Sequence, residues 1–199
     1  GESGMLAISL DGFRDYEEKS AWVWEHQAIS RARFAAGDPK VGERFEGIRK
    51  EVLSQERKLG DLKREIIEMR HKVHAGHPNS SSEFDLKHDP GGMVDIEFIV
   101  QFFVLAYSRQ YPDLLGNLGN IALLGIAARH GLITDVQALE IANAYRMFRA
   151  QQHRLRLDGA DKTRVQIGDY PEFAHAKSHV IVFWKTVFET PSRPDVKPN

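Results

Sequence analysis

Residues 84–105 read FDLKHDPGGMVDIEFIVQFFVL, and the run holds two kinds of chain. Phe84 to Gly92 carries Asp85, Asp89, Pro90 and two glycines, which is turn chemistry. A helix of about Val94 to Arg109 follows, in which Phe98, Ile99, Phe102, Phe103 and Leu105 leave little polar surface. A helix apolar on most of its sides must be enclosed by other helices. Its most apolar window, Ile96 to Tyr107, is too short to span a bilayer and includes Glu97 and Gln101. The expected architecture is therefore all-α, an elongated helical bundle with this helix near its centre.

On the N-terminal side the pattern predicts helices over about Phe13 to Ala36, Pro39 to Ser54 and Leu59 to Ala75. Gly37 suits a left-handed stop for the first, and Asp38-Pro39 reads as N-cap and first position of the second. Leu62, Ile66, Met69 and Val73 recur at helical spacing in the third. On the C-terminal side a short helix covers about Ile121 to Arg129. Thr134 with Gln137 forms a capping-box signature for a longer one, with Ile141, Tyr145, Phe148, Gln152 and Leu155 on its stripe. Asp169, Pro171 and Glu172 open a last helix. The segments 76–92 and 158–168 read as loops. Leu6 to Leu10 has a strand-like look, too short to form a sheet alone. The expected division is residues 1–12 as the remnant of an upstream domain, 13–190 as the bundle, and 191–199 as a disordered, proline-rich tail.

The chain has 199 residues and no cysteine. That excludes disulfides, thiolate metal sites and cysteine nucleophiles, and points to a reducing compartment, the cytoplasm. Lys and Arg number 27 against 28 Asp and Glu, a net charge of -1, so nothing global draws it to nucleic acid or to an anionic membrane. The start shows no export signal and no initiator methionine, which suggests an excised chain.

Several clusters invite a chemical reading. His71, His74 and His77 stand three residues apart, with His88 nearby. They could share a metal, but Gly76 and Pro78 interrupt the helix, and solvated histidines are the simpler account. His88-Asp89 spells a phosphohydrolase dipeptide in a loop, where that chemistry needs a helix. Asp95 and Glu97, two apart on a helix, point in different directions and cannot hold one metal together. Glu97 and Gln101 lie one turn apart on an apolar helix and need partners, for which Arg31, Arg33 and Arg70 are candidates. Gly91-Gly92 before a helix N-terminus is either a tight turn or an anion cradle, with Lys87 adding charge. Trp22 and Trp24 are expected to anchor core, leaving Glu25 and His26 at its edge. No phosphate-loop signature, Ser/His/Asp set or Gly-Ser followed by an Asp-x-Asp pair is present.

Three stretches together carry a family resemblance. Phe84 to Leu105 closely resembles a signature of the bacterial glutamine synthetase adenylyltransferases. SAWVWEHQAISRAR, Ser20 to Arg33, resembles a second signature, and EMRHKV, Glu68 to Val73, a third. Their order and spacing are similar to the family's, and the likeness weakens after about Arg156. That family is a tandem of two nucleotidyltransferase domains, each followed by a helical domain. One half removes AMP from glutamine synthetase and the other transfers AMP from ATP to a tyrosine of it.

The wording at Trp24-Glu25-His26-Gln27 and Val94-Asp95 resembles the helical domain of the adenylylating half. The resemblance implies ATP and Mg²⁺ as cofactors of the parent enzyme, bound by carboxylates upstream. GESGMLAISL is similar to the family's segment just after the last of those carboxylates, so this chain alone is expected to be inactive and to bind neither tightly. The resemblance implies glutamine synthetase and the PII signal protein as partners. Lys87, Gly91, Gly92, Asp95 and Glu97 are then expected to face the active site, and Trp24, Glu25, Arg31 and Arg33 to form the domain junction. No catalytic residue and no metal ligand is expected within the chain. The alternatives are a purely regulatory module sensing PII or glutamine, and the similar helical domain of a PII uridylyltransferase. The Trp-Glu-His-Gln wording argues against the latter.

Overall fold

The computed structural model describes residues 7–189, and among them the chain is helical with one two-stranded ladder. The helices are α1 (Leu10–Lys19), α2 (Val23–Ile29), α3 (Pro39–Leu53), α4 (Leu59–Ala75), α5 (Met93–Tyr107), α6 (Asn120–Arg129), α7 (Asp135–Leu157) and α8 (Pro171–Phe188). Short 3-10 turns occur at Pro112–Leu115 and Ile167–Asp169. The expected tail, residues 191–199, lies outside the described residues.

The central position expected of the apolar helix is what the structure shows. α5 packs against α2, α4, α6, α7 and α8. Ile96, Ile99, Phe102 and Leu105 are all within 2 % of full burial. Each such side chain contributes roughly 1.5–3 kcal/mol relative to exposure. Phe102 meets Phe188 at 5.2 Å between ring centroids, and Phe103 meets Phe183 at 6.5 Å, which ties α8 to the axis. The core is one continuous cluster running from α2 to α8, so the chain carries its own hydrophobic centre.

Local signals set several boundaries. Asp38 accepts a hydrogen bond from the Lys40 N–H (2.9 Å) and Pro39 opens α3. Thr134 accepts from the Gln137 N–H (3.1 Å) while the Gln137 side chain accepts from the Thr134 N–H (2.9 Å), the reciprocal cap of α7.

Three expectations are corrected. The single helix over Phe13 to Ala36 is two, broken at Ser20–Trp22. The Glu25 carboxylate accepts the Trp22 N–H (2.8 Å), which starts a new helix where the apolar face runs on unbroken. α2 then ends at Ile29, so Gly37, with φ 122°, lies in the connection and stops no helix. The strand-like stretch opens a helix instead: Leu10 is the first residue of α1, capped by Ser9, whose side chain accepts the Gly12 N–H, and Leu6 lies outside the described residues. The two loops are joined as well. β1 (Phe84–Asp85) pairs antiparallel with β2 (Arg164–Val165), Phe84 opposite Val165.

Candidate functional site

The glycine turn is built by its own carboxylates. Asp85 accepts the N–H groups of Lys87 (2.9 Å) and His88 (3.0 Å), and Asp89 accepts the N–H of Asp85 (2.9 Å) and the amide of Asn79 (2.8 Å). Such side-chain acceptors fold a loop back on itself. Gly91 has φ 84°, and a Cβ there would sit 2.7 Å from the Lys177 carbonyl oxygen. The turn therefore passes too close to α8 for any other residue.

The anion-cradle reading of Gly91-Gly92 does not survive this geometry. The N–H groups of Gly92, Met93 and Val94 donate to the carbonyls of Asp89, Leu86 and Lys87. The Gly91 N–H donates to the Asp95 carboxylate (2.6 Å). Asp95 is buried and ion-paired with Arg70, whose other arm donates to the His88 carbonyl (2.8 Å). Arg70 of the EMRHKV stretch thus clamps the turn from α4. Asp95, Gly91 and Gly92 hold the turn in shape, and Lys87 is exposed beside it.

A second polar seam joins α2, α5, α6 and α7. Gln27 donates to Gln101 (2.8 Å), and the Tyr145 hydroxyl donates to half-buried Glu97 (3.0 Å). Arg31 donates to Asn120 (3.0 Å). Of the partners expected for Glu97 and Gln101, Arg70 goes to Asp95 instead. Arg33 is exposed, and Arg31 reaches the seam through Asn120. Burial, then the charge of Glu97, raises the Tyr145 phenol above its ordinary pKa, so it stays protonated and donating. An open groove of about 350 Å³ lies over this seam, lined by Arg31, Asn120, Tyr145, Arg146 and Arg149. Sequence reading placed Tyr145 on an apolar stripe and missed Asn120, Arg146 and Arg149. The arginines' signal is their spacing of three on α7 directly after Tyr145, and Asn120 carries none.

The α1–α2 corner inverts another expectation. Trp22 and Trp24 are 67 % and 46 % exposed, and His26 is the buried member of the cluster. Glu25 is spent on the helix start and on the Tyr16 hydroxyl, which donates to it at 2.5 Å. Arg57 donates to His26 Nδ1 (3.2 Å), so the imidazole carries its proton on Nε2 and donates to the Glu17 carbonyl (2.9 Å). Two arginines that the sequence did not mark, buried Arg49 and half-buried Arg57, complete this end. Arg49 donates to the carbonyls of Ile29, Ser30 and Leu115. Arg57 donates to those of Val52 and Leu53, and burial lowers its pKa to about 10.

The histidines do not converge on a shared ion. His77 stacks face to face on His88, ring centroids 3.8 Å apart, and His77 Nδ1 lies 2.9 Å from the Val73 carbonyl, while His71 and His74 are exposed. Among the described residues no three His, Asp or Glu side chains form a group able to hold a metal. Nor is any described helix long and apolar enough to cross a membrane.

Comparison with known proteins gives these motifs a context. Residues 1–48 match the family model described as Glutamate-ammonia ligase adenylyltransferase, and residues 60–176 match that described as GlnD PII-uridylyltransferase. The chain is 50% identical over 195 residues to the bifunctional glutamine synthetase adenylyltransferase/adenylyl-removing enzyme of Burkholderia pseudomallei, covering 94% of this chain and 21% of that protein. The enzyme of the same name from Bordetella bronchiseptica is 48% identical over 189 residues, covering 95% and 20%. That of Nitrosomonas europaea is 45% identical over 201 residues, covering 96% and 22%. The chain spans about a fifth of the length of these curated relatives. The chain therefore belongs to the GlnD PII-uridylyltransferase family of the second match, and is homologous to one segment of the bifunctional glutamine synthetase adenylyltransferases.

Proposed function

We propose that this chain is the helical domain that comes after the nucleotidyltransferase domain in the adenylylating, C-terminal half of a cytoplasmic glutamine synthetase adenylyltransferase. The observation that carries it is the similarity, near half the residues over more than nine-tenths of the chain, to enzymes bearing that name. In this reading the parent enzyme transfers AMP from ATP to a tyrosine of glutamine synthetase, and PII and glutamine regulate it. The Mg²⁺-binding carboxylates belong to the preceding domain. Two-metal sites clamp attacking and leaving oxygens with converging carboxylates, and the described residues here contain no such group.

The domain's part is to wall the nucleotide site and dock the protein substrate. Exposed Tyr16, Trp22 and Trp24 at the α1–α2 corner are apolar surface of the kind covered at a domain boundary, which supports a junction through Trp24, Glu25, Arg31 and Arg33. In this reading exposed Lys87 and half-buried Glu97 face the catalytic domain, while Asp95, Gly91 and Gly92 support them by holding the turn in shape.

AMP transfer to glutamine synthetase tests the reading. The 199 residues alone, with ATP and Mg²⁺, are expected to transfer none, and the protein carrying its upstream domain is expected to do so. Transfer by the isolated chain would refute the division of labour. Glu97→Gln, which keeps the Tyr145 hydrogen bond, is expected to lower turnover in the longer protein without changing stability. Unchanged turnover would remove Glu97 from the facing surface.

A further inference from the structure

We propose that the groove between α2, α6 and α7 is a binding site for a phosphate-bearing ligand with at least two negative charges. Three guanidinium groups line it, those of Arg31, Arg146 and Arg149, and no carboxylate does. The nearest acidic group on the seam is Glu97, and it is engaged by the Tyr145 hydroxyl. Each arginine has donors to spare. Arg31 spends one on Asn120, Arg146 one on Asn143 (2.8 Å), and Arg149 lies over the Tyr145 ring, 5.9 Å from its centroid. The three guanidinium charges outnumber the one carboxylate on the seam, Glu97, so an anion in the groove relieves repulsion among them.

The floor supplies the second observation. Asn120 is 2 % exposed, and its Nδ2 finds no hydrogen-bond partner. The amide is not simply turned the wrong way, because Arg31 requires an acceptor and meets Oδ1. A buried amide donor left unmade costs about 1–3 kcal/mol, and a ligand oxygen in the groove that Asn120 lines would satisfy it. Asn120 is also the first residue of α6, and its N-cap, Gly119, brings no capping side chain. Helix N-termini favour anions for that reason.

Phosphate fits this donor set better than a lone carboxylate. Two guanidinium forks come from α7, the third from the turn after α2, and the amide from α6. A tetrahedral group or a short polyphosphate offers oxygens in all three directions. Tyr145, the aromatic residue of the lining, is 4 % exposed, so the groove offers no open aromatic face to stack a base. The recognition is therefore of the phosphates, whether a nucleotide tail or free phosphate brings them.

The 199-residue chain, which carries its own core, is titrated with tripolyphosphate, ATP, inorganic phosphate and adenosine by calorimetry. The side-chain amide signal of Asn120 is followed by NMR in parallel. Tripolyphosphate is expected to bind, to shift that signal and to weaken as salt rises. Arg146→Gln and Arg149→Gln are each expected to weaken binding on the order of tenfold with helicity unchanged, since charge-assisted pairs carry the affinity. Exposed Arg129→Gln, on the far end of α6, is expected to leave it unchanged.

ATP binding as tightly as tripolyphosphate, with inorganic phosphate weak, assigns the site to a nucleotide tail. Inorganic phosphate binding as tightly assigns it to free phosphate. Absence of tripolyphosphate binding at millimolar concentration, or wild-type affinity in both groove variants, overturns the proposal. The measurement needs no AMP transfer, so it stands or fails apart from the proposed function.

Discussion

Asp95 receives the Arg70 guanidinium on one carboxylate oxygen and the Gly91 N–H on the other. Both side chains of the ion pair are buried, so the charges are screened little by water. Removing one partner strands the other. Asp95→Ala is expected to destabilise the chain by about 3–5 kcal/mol, and Arg70→Met combined with Asp95→Leu by clearly less. Urea unfolding reads both. A single-variant loss within about 1 kcal/mol of zero would show that the turn holds without its clamp.

Gly91→Ala should fail for a different reason. The new methyl group meets the Lys177 carbonyl oxygen at 2.7 Å, and φ is 84°. Left-handed strain alone costs about 1–3 kcal/mol, and α8 must also move. The expected readout is a drop in Tm together with faster amide exchange in the first half of α8. Exchange slowed or unchanged there would break the link between turn and helix.

Tyr145→Phe deletes one hydroxyl at the seam and leaves half-buried Glu97 without that donor. A loss of about 0.5–1.5 kcal/mol is expected in urea. Burial and Glu97 both hold the phenol protonated, so its ultraviolet titration should fall above the ordinary tyrosine range. Glu97→Gln should bring that titration back toward normal.

His26 makes stability depend on pH with a definite sign. Burial, and after it the Arg57 charge, lower its pKa, while the hydrogen bond to the Glu17 carbonyl partly opposes them. The unfolded imidazole, with a pKa of about 6.5, therefore takes up its proton first on acidification. This contribution is fully present above that value and is lost as pH falls through the lower folded pKa. Wild-type stability should fall over that window more steeply than that of His26→Gln. Glu17 acts oppositely: burial raises its pKa, so its own ionisation weakens the fold as pH rises. Parallel slopes in the two proteins would mean that His26 titrates as it does unfolded.

The parts of the fold legible in the sequence are those that one segment decides. α5 shows its central place because it is apolar on most of its sides, and Thr134 with Gln137 states where α7 begins. The illegible parts depend on distant partners. The helix break at Ser20–Trp22 leaves no gap in the apolar stripe, and only the Glu25 carboxylate on the Trp22 N–H marks it. A pairing of two residues with two others, as at Phe84–Asp85 and Arg164–Val165, has no local pattern to read.

The site was half legible for the same reason. Asp95 and Arg70 stand in separate stretches, and only the packing of α4 on α5 turns a candidate for chemistry into a clamp. Arg49 carries no mark in the sequence, and three backbone carbonyls let it be buried. Trp22 and Trp24 read as core because indoles bury well, and nothing nearby in the sequence says which side of α2 faces outward.

The ladder between β1 and β2 has a consequence for how the chain can be divided. Residues 158–162 form an almost wholly exposed turn just before β2. A nick there leaves β2 and α8 on one piece and α1 to α7 on the other. The pieces still share the Phe84–Val165 pairing, the Lys177 contact with the Gly91 turn, and the aromatic seam of α8 on α5. Expressed separately, they should reassociate into one complementing complex that splits only on denaturation.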